Sequence, residues 1–195
     1  MARRNNDDIE NFHLYGYYLP TRTIQFRNKG EGSEINKDSV DEAIANFHIL
    51  ESINQQPITF LLNSYGGDVF QALGLYDFIR TLQSEVTIKA VGACMSGATI
   101  VLQAGDKRLI STNTTFMMHV GSSGYDDHSN NVRNWVKYEN DVIVPKMKEI
   151  YAEKMIKLPK ESPSSLNKRL DKLLDFDTIL TASEVIKLGL ADDLY

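Results

Sequence analysis

An α/β layered fold with mainly parallel strands is what this 195-residue sequence predicts, on three observations. Three short apolar runs, "ITFLLN" (58–63), "VTIKAV" (86–91) and "TFMMHV" (115–120), have the continuous apolar character of strands buried on both faces. Each lies close in sequence to a segment whose apolar residues recur at helical spacing. The resulting β-α-β-α-β order calls for a sheet covered by its crossover helices. The length fits one domain over 1–195 with a core of its own.

The elements follow in order. The start, "MARRNNDDIENFH", is polar and has no apolar stretch of the kind a secretory signal needs, so 1–13 is expected to be a flexible lead and the chain cytoplasmic. "RNKGEGSEINK" (27–37) reads as a surface loop. In "DSVDEAIANFHILESI", Val40, Ala43, Ile44, Phe47 and Leu50 share one helix face, with Asp38 or Ser39 as N-cap. After the first strand, Val69, Ala72, Leu73, Tyr76, Ile79 and Leu82 form a second helical stripe. "SGATIVLQAG" is a short, nearly uncharged helix ended by Gly105, which predicts burial on all sides. "NNVRNWVKYENDVIVPKMKEIYAEKM" gives a long amphipathic helix carrying Val132, Trp135, Val136, Val142, Ile143, Met147, Ile150 and Tyr151, with Pro145 expected to kink or split it near Val144. "KLPKESPSS" is a loop, "SSLNKRLDKLL" a helix from a serine cap, and "TASEVIKLGLADDLY" a last helix with Thr181 and Glu184 at capping-box spacing, closing near Gly189.

Composition narrows the function. Apolar residues make up 42% and charged residues 24%, a globular balance, and no apolar run approaches the roughly 20 residues of a membrane span. A net charge of −5 disfavours nucleic acid as a partner, and the basic cluster in "NKRLDK" is interrupted by acids. With Cys94 as its only cysteine, the chain has neither an internal disulfide nor a cysteine-based zinc site. No metal or cofactor of its own is expected.

Four stretches could carry chemistry. "NSYGGDV" is either a tight strand-to-helix turn or, through Gly66 and Gly67, a source of bare N–H donors at a strand's C-terminal end. Ser96 follows a strand and opens a helix beside the N–H of Gly97, the setting of an N-cap or of a nucleophile facing an oxyanion site. Cys94, inside the apolar strand end, reads as a small core residue. Of four histidines only His119 closes a strand, either as a core residue or as a base that takes a hydroxyl proton. In "LLDFDTILTASE", Asp175 and Asp177 lie among apolar residues, where a carboxylate needs a dedicated partner. The chain order Ser, His, Asp and the absence of G-x-S-x-G exclude the α/β-hydrolase fold.

Taken together, these blocks resemble the proteolytic subunit of the ATP-dependent Clp protease, over about 14–194. "LLNSYGGDVFQALGLYDFIR" resembles that family's double-glycine turn and helix. "VGACMSGATIVLQAGDKRLISTNTTFMMH" is similar to its nucleophile block and histidine strand, and "FDTILTASEVIKLGLADDL" to its acid block. The resemblance implies a Clp-protease or crotonase-like layered fold with a protruding helix at 131–155 that makes ring-to-ring contacts. It implies Ser96 as nucleophile, His119 as base, Asp177 as orienting acid with Asp175 as fallback, and Gly67 and Gly97 as oxyanion donors. It further implies polypeptide substrates bound as an added strand along Tyr65, Gly66, Asp68, Val69, Val120, Gly121 and Ser122. Stacked heptameric rings and an AAA+ unfoldase that spends ATP complete the expectation. Tyr65 stands where the family has Pro, and Gly97 where it has Met. The loop 27–37 is longer than usual, and Pro145 interrupts the ring-contact helix; these departures suit a phage-borne or accessory copy. An acyl-CoA enzyme of crotonase type and a non-catalytic ring or capsid-associated subunit are the competing readings.

Overall fold

The computed structural model describes residues 2–27, 34–121, 124 and 126–195. The lead expected to be flexible is helical: α1 (Ala2–Tyr15) ends at Gly16, whose φ of 78° turns the chain back. Arg27 explains why this polar helix is anchored, since its Nη1 donates to the carbonyls of Phe12 and His13 at 2.9 and 2.8 Å, while Asn46 Nδ2 donates to Tyr15 O at 2.6 Å. An antiparallel pair, β1 (Tyr17–Tyr18) and β2 (Thr23–Gln25), follows. Most of the loop at 27–37 lies outside the described residues, but its end forms strand β3 (Glu34–Ile35).

Helix α2 (Lys37–Ile53) is capped by Asn36, not by Asp38 or Ser39. Asn36 accepts from the Ser39 N–H and Ser39 Oγ accepts from the Asn36 N–H, both at 3.0 Å, so serine serves as the reciprocal partner three residues in. Strand β4 (Ile58–Ser64) leads through Tyr65 into a two-residue strand β5 (Gly66–Gly67) and then α3 (Val69–Arg80). β6 (Val86–Met95) is longer than its apolar core predicts. It is followed by α4 (Gly97–Leu102), every residue of which is buried, as its uncharged sequence requires. β7 (Lys107–Ile110) and β8 (Thr115–Met118) come next.

The predicted long helix exists but is continuous through its proline: α5 (Ser129–Tyr138), a π turn over Glu139–Ile143, and α6 (Val144–Lys154). Proline lacks the N–H of the helix ladder and its ring crowds the carbonyl four residues back. The wider turn, in which Val144 N–H reaches Glu139 O, gives the ring room, so the helix widens where a break is expected. α5 buries none of its residues, whereas α6 buries Met147 and Tyr151. α7 (Pro163–Leu174) starts from a Ser162 cap, two residues earlier than its apolar pattern indicates. β9 (Thr178–Leu180), α8 (Ala182–Leu188) with the Thr181–Glu184 capping box and Gly189 at φ 79°, and β10 (Asp193–Leu194) complete the chain.

The main sheet has the order β1-β2-β4-β6-β7-β10, parallel from β2 onward, with β8 parallel to β6 and β9 antiparallel to β8. β6 is shared: residues 87–90 pair with β7 and residues 93–95 with β8. The change of partner occurs at Gly92, whose φ is 67° and where Asn63 Oδ1 accepts the next N–H, from Ala93, at 3.0 Å. Gly92 thus lets one strand leave the first ladder and enter a second that carries the site. The core centres on Phe60, which meets Phe47 at 5.1 Å and Phe26 at 6.0 Å between ring centroids. The described residues form a mixed α/β fold whose central sheet is covered by helices.

Candidate active site

Ser96 occupies the one-residue junction between β6 and α4, at φ 50° and ψ −125°. Serine rarely adopts such torsions, which cost about 1–3 kcal/mol and persist only where neighbours enforce them. Here its N–H donates to Met117 O at 2.7 Å, and its carbonyl accepts from the N–H of Thr99 at 2.9 Å and the hydroxyl of Thr99 at 2.6 Å. The opposite wall is Gly66, at φ 100°; a Cβ there would lie 2.6 Å from Ser96 Cβ and 2.7 Å from Met95 O. Only glycine lets the two turns approach so closely.

His119 directly follows β8, and the next N–H, of Val120, donates to Leu174 O at 2.9 Å, which fixes where the imidazole leaves the strand. Its Nε2 is 2.8 Å from Ser96 Oγ and its Nδ1 is 2.8 Å from Asp177 Oδ1. Strand register explains which acid is chosen. Met118 pairs with Thr178 across the antiparallel β8 and β9, and one step further the register sets 119 opposite 177, with 175 two residues beyond. Asp175 instead caps the C-terminus of α7. Apolar neighbours did not bury the acid: the Asp177 side chain is 67% exposed, and Phe176 and Ile179 beside it are exposed too. The His119 side chain is 22% exposed.

The double glycine faces this line. β3 pairs in parallel with β5, and Asp68 N–H donates to Ile35 O at 2.9 Å. Since alternate residues of a strand turn their polar groups to alternate edges, those of Gly67 point away from β3. Consistent with this, a Cβ on Gly97 would come 3.6 Å from Gly67 O. Gly97 is the first residue of α4, where an N–H has no partner within the helix.

The remaining residues expected to meet a substrate divide. Tyr65 is exposed, Val69 lines the cleft, and Val120 and Gly121 line its far wall; Ser122 lies outside the described residues. Asp68 also lines the cleft, but its polar groups are committed. Its carboxylate accepts from Phe70 and Gln71 to cap α3, its N–H is held by Ile35, and its carbonyl accepts from Ala72. The Val120 N–H is committed to Leu174. Sequence reasoning missed the apolar wall of Phe70, Ile100, Ile143, Val144 and Met147. Helical spacing marks such residues as inward-facing without telling core from cleft. Cys94 is fully buried on β6, and burial pushes its thiol well above the ordinary range, so it is a core residue. His48 packs against Phe78 at 4.9 Å, and His128 caps α5.

Among the described residues, no His, Cys, Asp and Glu side chains gather so as to hold a metal ion, and no helix is long and apolar enough to cross a membrane. A layered α/β sheet with a hydroxyl, an imidazole and a carboxylate in line at its strand ends fits the peptidase class of hydrolases. The sequence model of the Clp protease family matches residues 7–195, and the chain belongs to that family. Similar proteins include the ATP-dependent Clp protease proteolytic subunit of Deinococcus radiodurans, 28% identical over 184 residues, which are 91% of this chain and 84% of that one. Proteolytic subunit 2 of Pseudomonas aeruginosa is 27% identical over 93% of this chain and 84% of its own, and proteolytic subunit 1 of Tropheryma whipplei 28% over 92% and 86%.

Proposed function

We propose that this protein is a serine endopeptidase that cleaves unfolded polypeptides through an acyl-enzyme. The observation that carries the reading is the unbroken hydrogen-bonded line from Asp177 through His119 to Ser96, with 2.8 Å at each step. In this reading Asp177 accepts the Nδ1–H of His119, which leaves the Nε2 lone pair aimed at the Ser96 hydroxyl. Ser96 Oγ attacks the scissile carbonyl carbon as His119 takes its proton, and the resulting oxyanion meets the N–H groups of Gly67 and Gly97. Collapse breaks the C–N bond, the amine leaves with the proton from His119, and water then hydrolyses the ester by the same route in reverse order. The cleft holds about 590 Å³, room for a bulky side chain and its flanking backbone. Its apolar wall favours a substrate with an apolar residue on the acyl side of the cut.

The larger assembly belongs to the same proposal. Relatives carry the name proteolytic subunit of an ATP-dependent protease, which supports a subunit role and an ATP-using partner; the homo-oligomeric chamber of stacked heptameric rings and the AAA+ ATPase are proposed on the resemblance to the family. ATP is then the partner's and this subunit uses no cofactor. The exposed apolar face of α5, with Trp135 and Tyr138, is the surface assigned to ring-to-ring contact. The test is intact-mass analysis after a fluorophosphonate. A single adduct that maps to Ser96 and disappears in Ser96→Ala is expected; equal labelling of both proteins would overturn the reading.

A further inference from the structure

We infer that Tyr151, on α6, is a positioning residue for the Ser96 turn and acts through Thr99. The inference rests on the serine peptidase reading and extends it to a residue outside the reacting line.

Thr99 has one hydroxyl proton, and its Oγ1 donates it to the Ser96 carbonyl at 2.6 Å. The same oxygen is 2.7 Å from the Tyr151 hydroxyl, so it accepts there and the phenol donates. The chain therefore has one direction: Tyr151 O–H to Thr99 Oγ1, and Thr99 O–H to Ser96 C=O. Both side chains are fully buried, Thr99 at 0% and Tyr151 at 1% exposure, and burial holds the phenol protonated as a donor. In such surroundings serial hydrogen bonds polarise one another, so the tyrosine strengthens the bond that the threonine makes. That bond fixes the carbonyl of the one residue at the site with unfavourable torsions and a hydroxyl aimed at His119. With its carbonyl held only by the Thr99 N–H, and its own N–H still bonded to Met117 O, the Ser96 peptide would relax toward commoner torsions and carry Oγ off Nε2. The tyrosine reaches across from α6, whose residues Val144 and Met147 wall the cleft. One helix thus shapes the substrate's place and steadies the attacking residue.

The experiment measures fluorophosphonate modification of Ser96 and hydrolysis of a fluorogenic peptide by the full chain in four variants. Tyr151→Phe keeps the ring and removes the donor; kcat and the labelling rate should each fall about three- to tenfold with KM within about twofold. Thr99→Val should fall at least as far, and Thr99→Ser, which keeps the hydroxyl, should restore about half or more of wild-type kcat. Thr99→Val with Tyr151→Phe removes both partners together and should be no slower than Thr99→Val alone, since the tyrosine acts only through the threonine. Wild type and Tyr151→Phe labelling at equal rates, additive losses in the double variant, or a change confined to KM would overturn the positioning role. Wild type that takes no label at Ser96 would overturn the peptidase reading, and the positioning role with it.

Discussion

Ser96 and Gly66 form a complementary pair at the scale of single residues: one holds a side chain in torsions that few side chains accept, and the other has none to obstruct it. Gly66→Ala adds a methyl that must displace Ser96 Cβ or Met95 O, so the variant should fold with a lower unfolding midpoint and lose most fluorophosphonate labelling. Labelling at the wild-type rate would show that the close approach is dispensable. The two acids are separable in the same way. Asp177→Asn should lower kcat by about two to four orders of magnitude, because the amide disturbs the imidazole tautomer, while Asp175→Asn should stay within about twofold. Equal losses in the two variants would mean that the register argument is wrong. Ser96, His119 and the pair of candidate acids were readable because each sits at an abrupt change of pattern. The choice of Asp177 over Asp175 came from the family resemblance and not from local pattern, since β9 is only three residues long and leaves almost no period to detect.

Among elements, caps and glycines decide more than apolar stripes do. Asn36→Ala should destabilise the fold by about 1 kcal/mol through loss of the α2 cap, read as a lower urea midpoint at unchanged slope. Asp38→Ala, one residue beyond the helix start, should cost less than half of that; the reverse order would contradict the observed cap. The longer helices α2, α3 and α7 were legible because their apolar residues keep a 3.6 period over three or more turns, and α8 through its capping box. The strands that escaped notice, β1, β2, β3, β5, β7, β9 and β10, are only two to four residues each. β5 consists of two glycines, whose propensity argues against a strand, and exists because Ile35 supplies the neighbouring edge. α1 escaped for a different reason: its anchor is Arg27, twelve residues after its last turn, and no local pattern announces that bond.

For the molecule as a whole, charge and core set the limits of stability. The Glu51 carboxyl is raised by burial, but bonds from the Ser84 hydroxyl and the N–H groups of Gln83 and Ser84, with Arg22 nearby, bring it below the usual value. Glu161, bonded by the Leu158 N–H and Arg169, and Glu184, bonded by the Thr181 hydroxyl and N–H, are lowered as well. Folded carboxyls of depressed pKa contribute stability above their unfolded value, about 4.5, and lose it as pH falls through the folded values. Urea midpoints should therefore hold from neutral pH to about 5 and drop steadily below about 4.5; a flat profile down to about pH 3 would count against it. Phe60→Ala, at the meeting point of Phe26 and Phe47, should cost about 3–5 kcal/mol by the same measurement. The parallel layered architecture could be read from three apolar runs, whereas the branching of β6 could not, because Gly92 interrupts the apolar run without saying which strand pairs on either side of it. The widened turn ahead of Pro145 has a rotational consequence. One surplus residue in a helix advances its azimuth by about 100°. The outer half of the arm therefore looks in a different direction from the half seated in the core, and Trp135 comes to rest 6.3 Å from Phe70 at the mouth of the cleft. Excising that residue would wheel the indole away from the opening while leaving the inner half where it is.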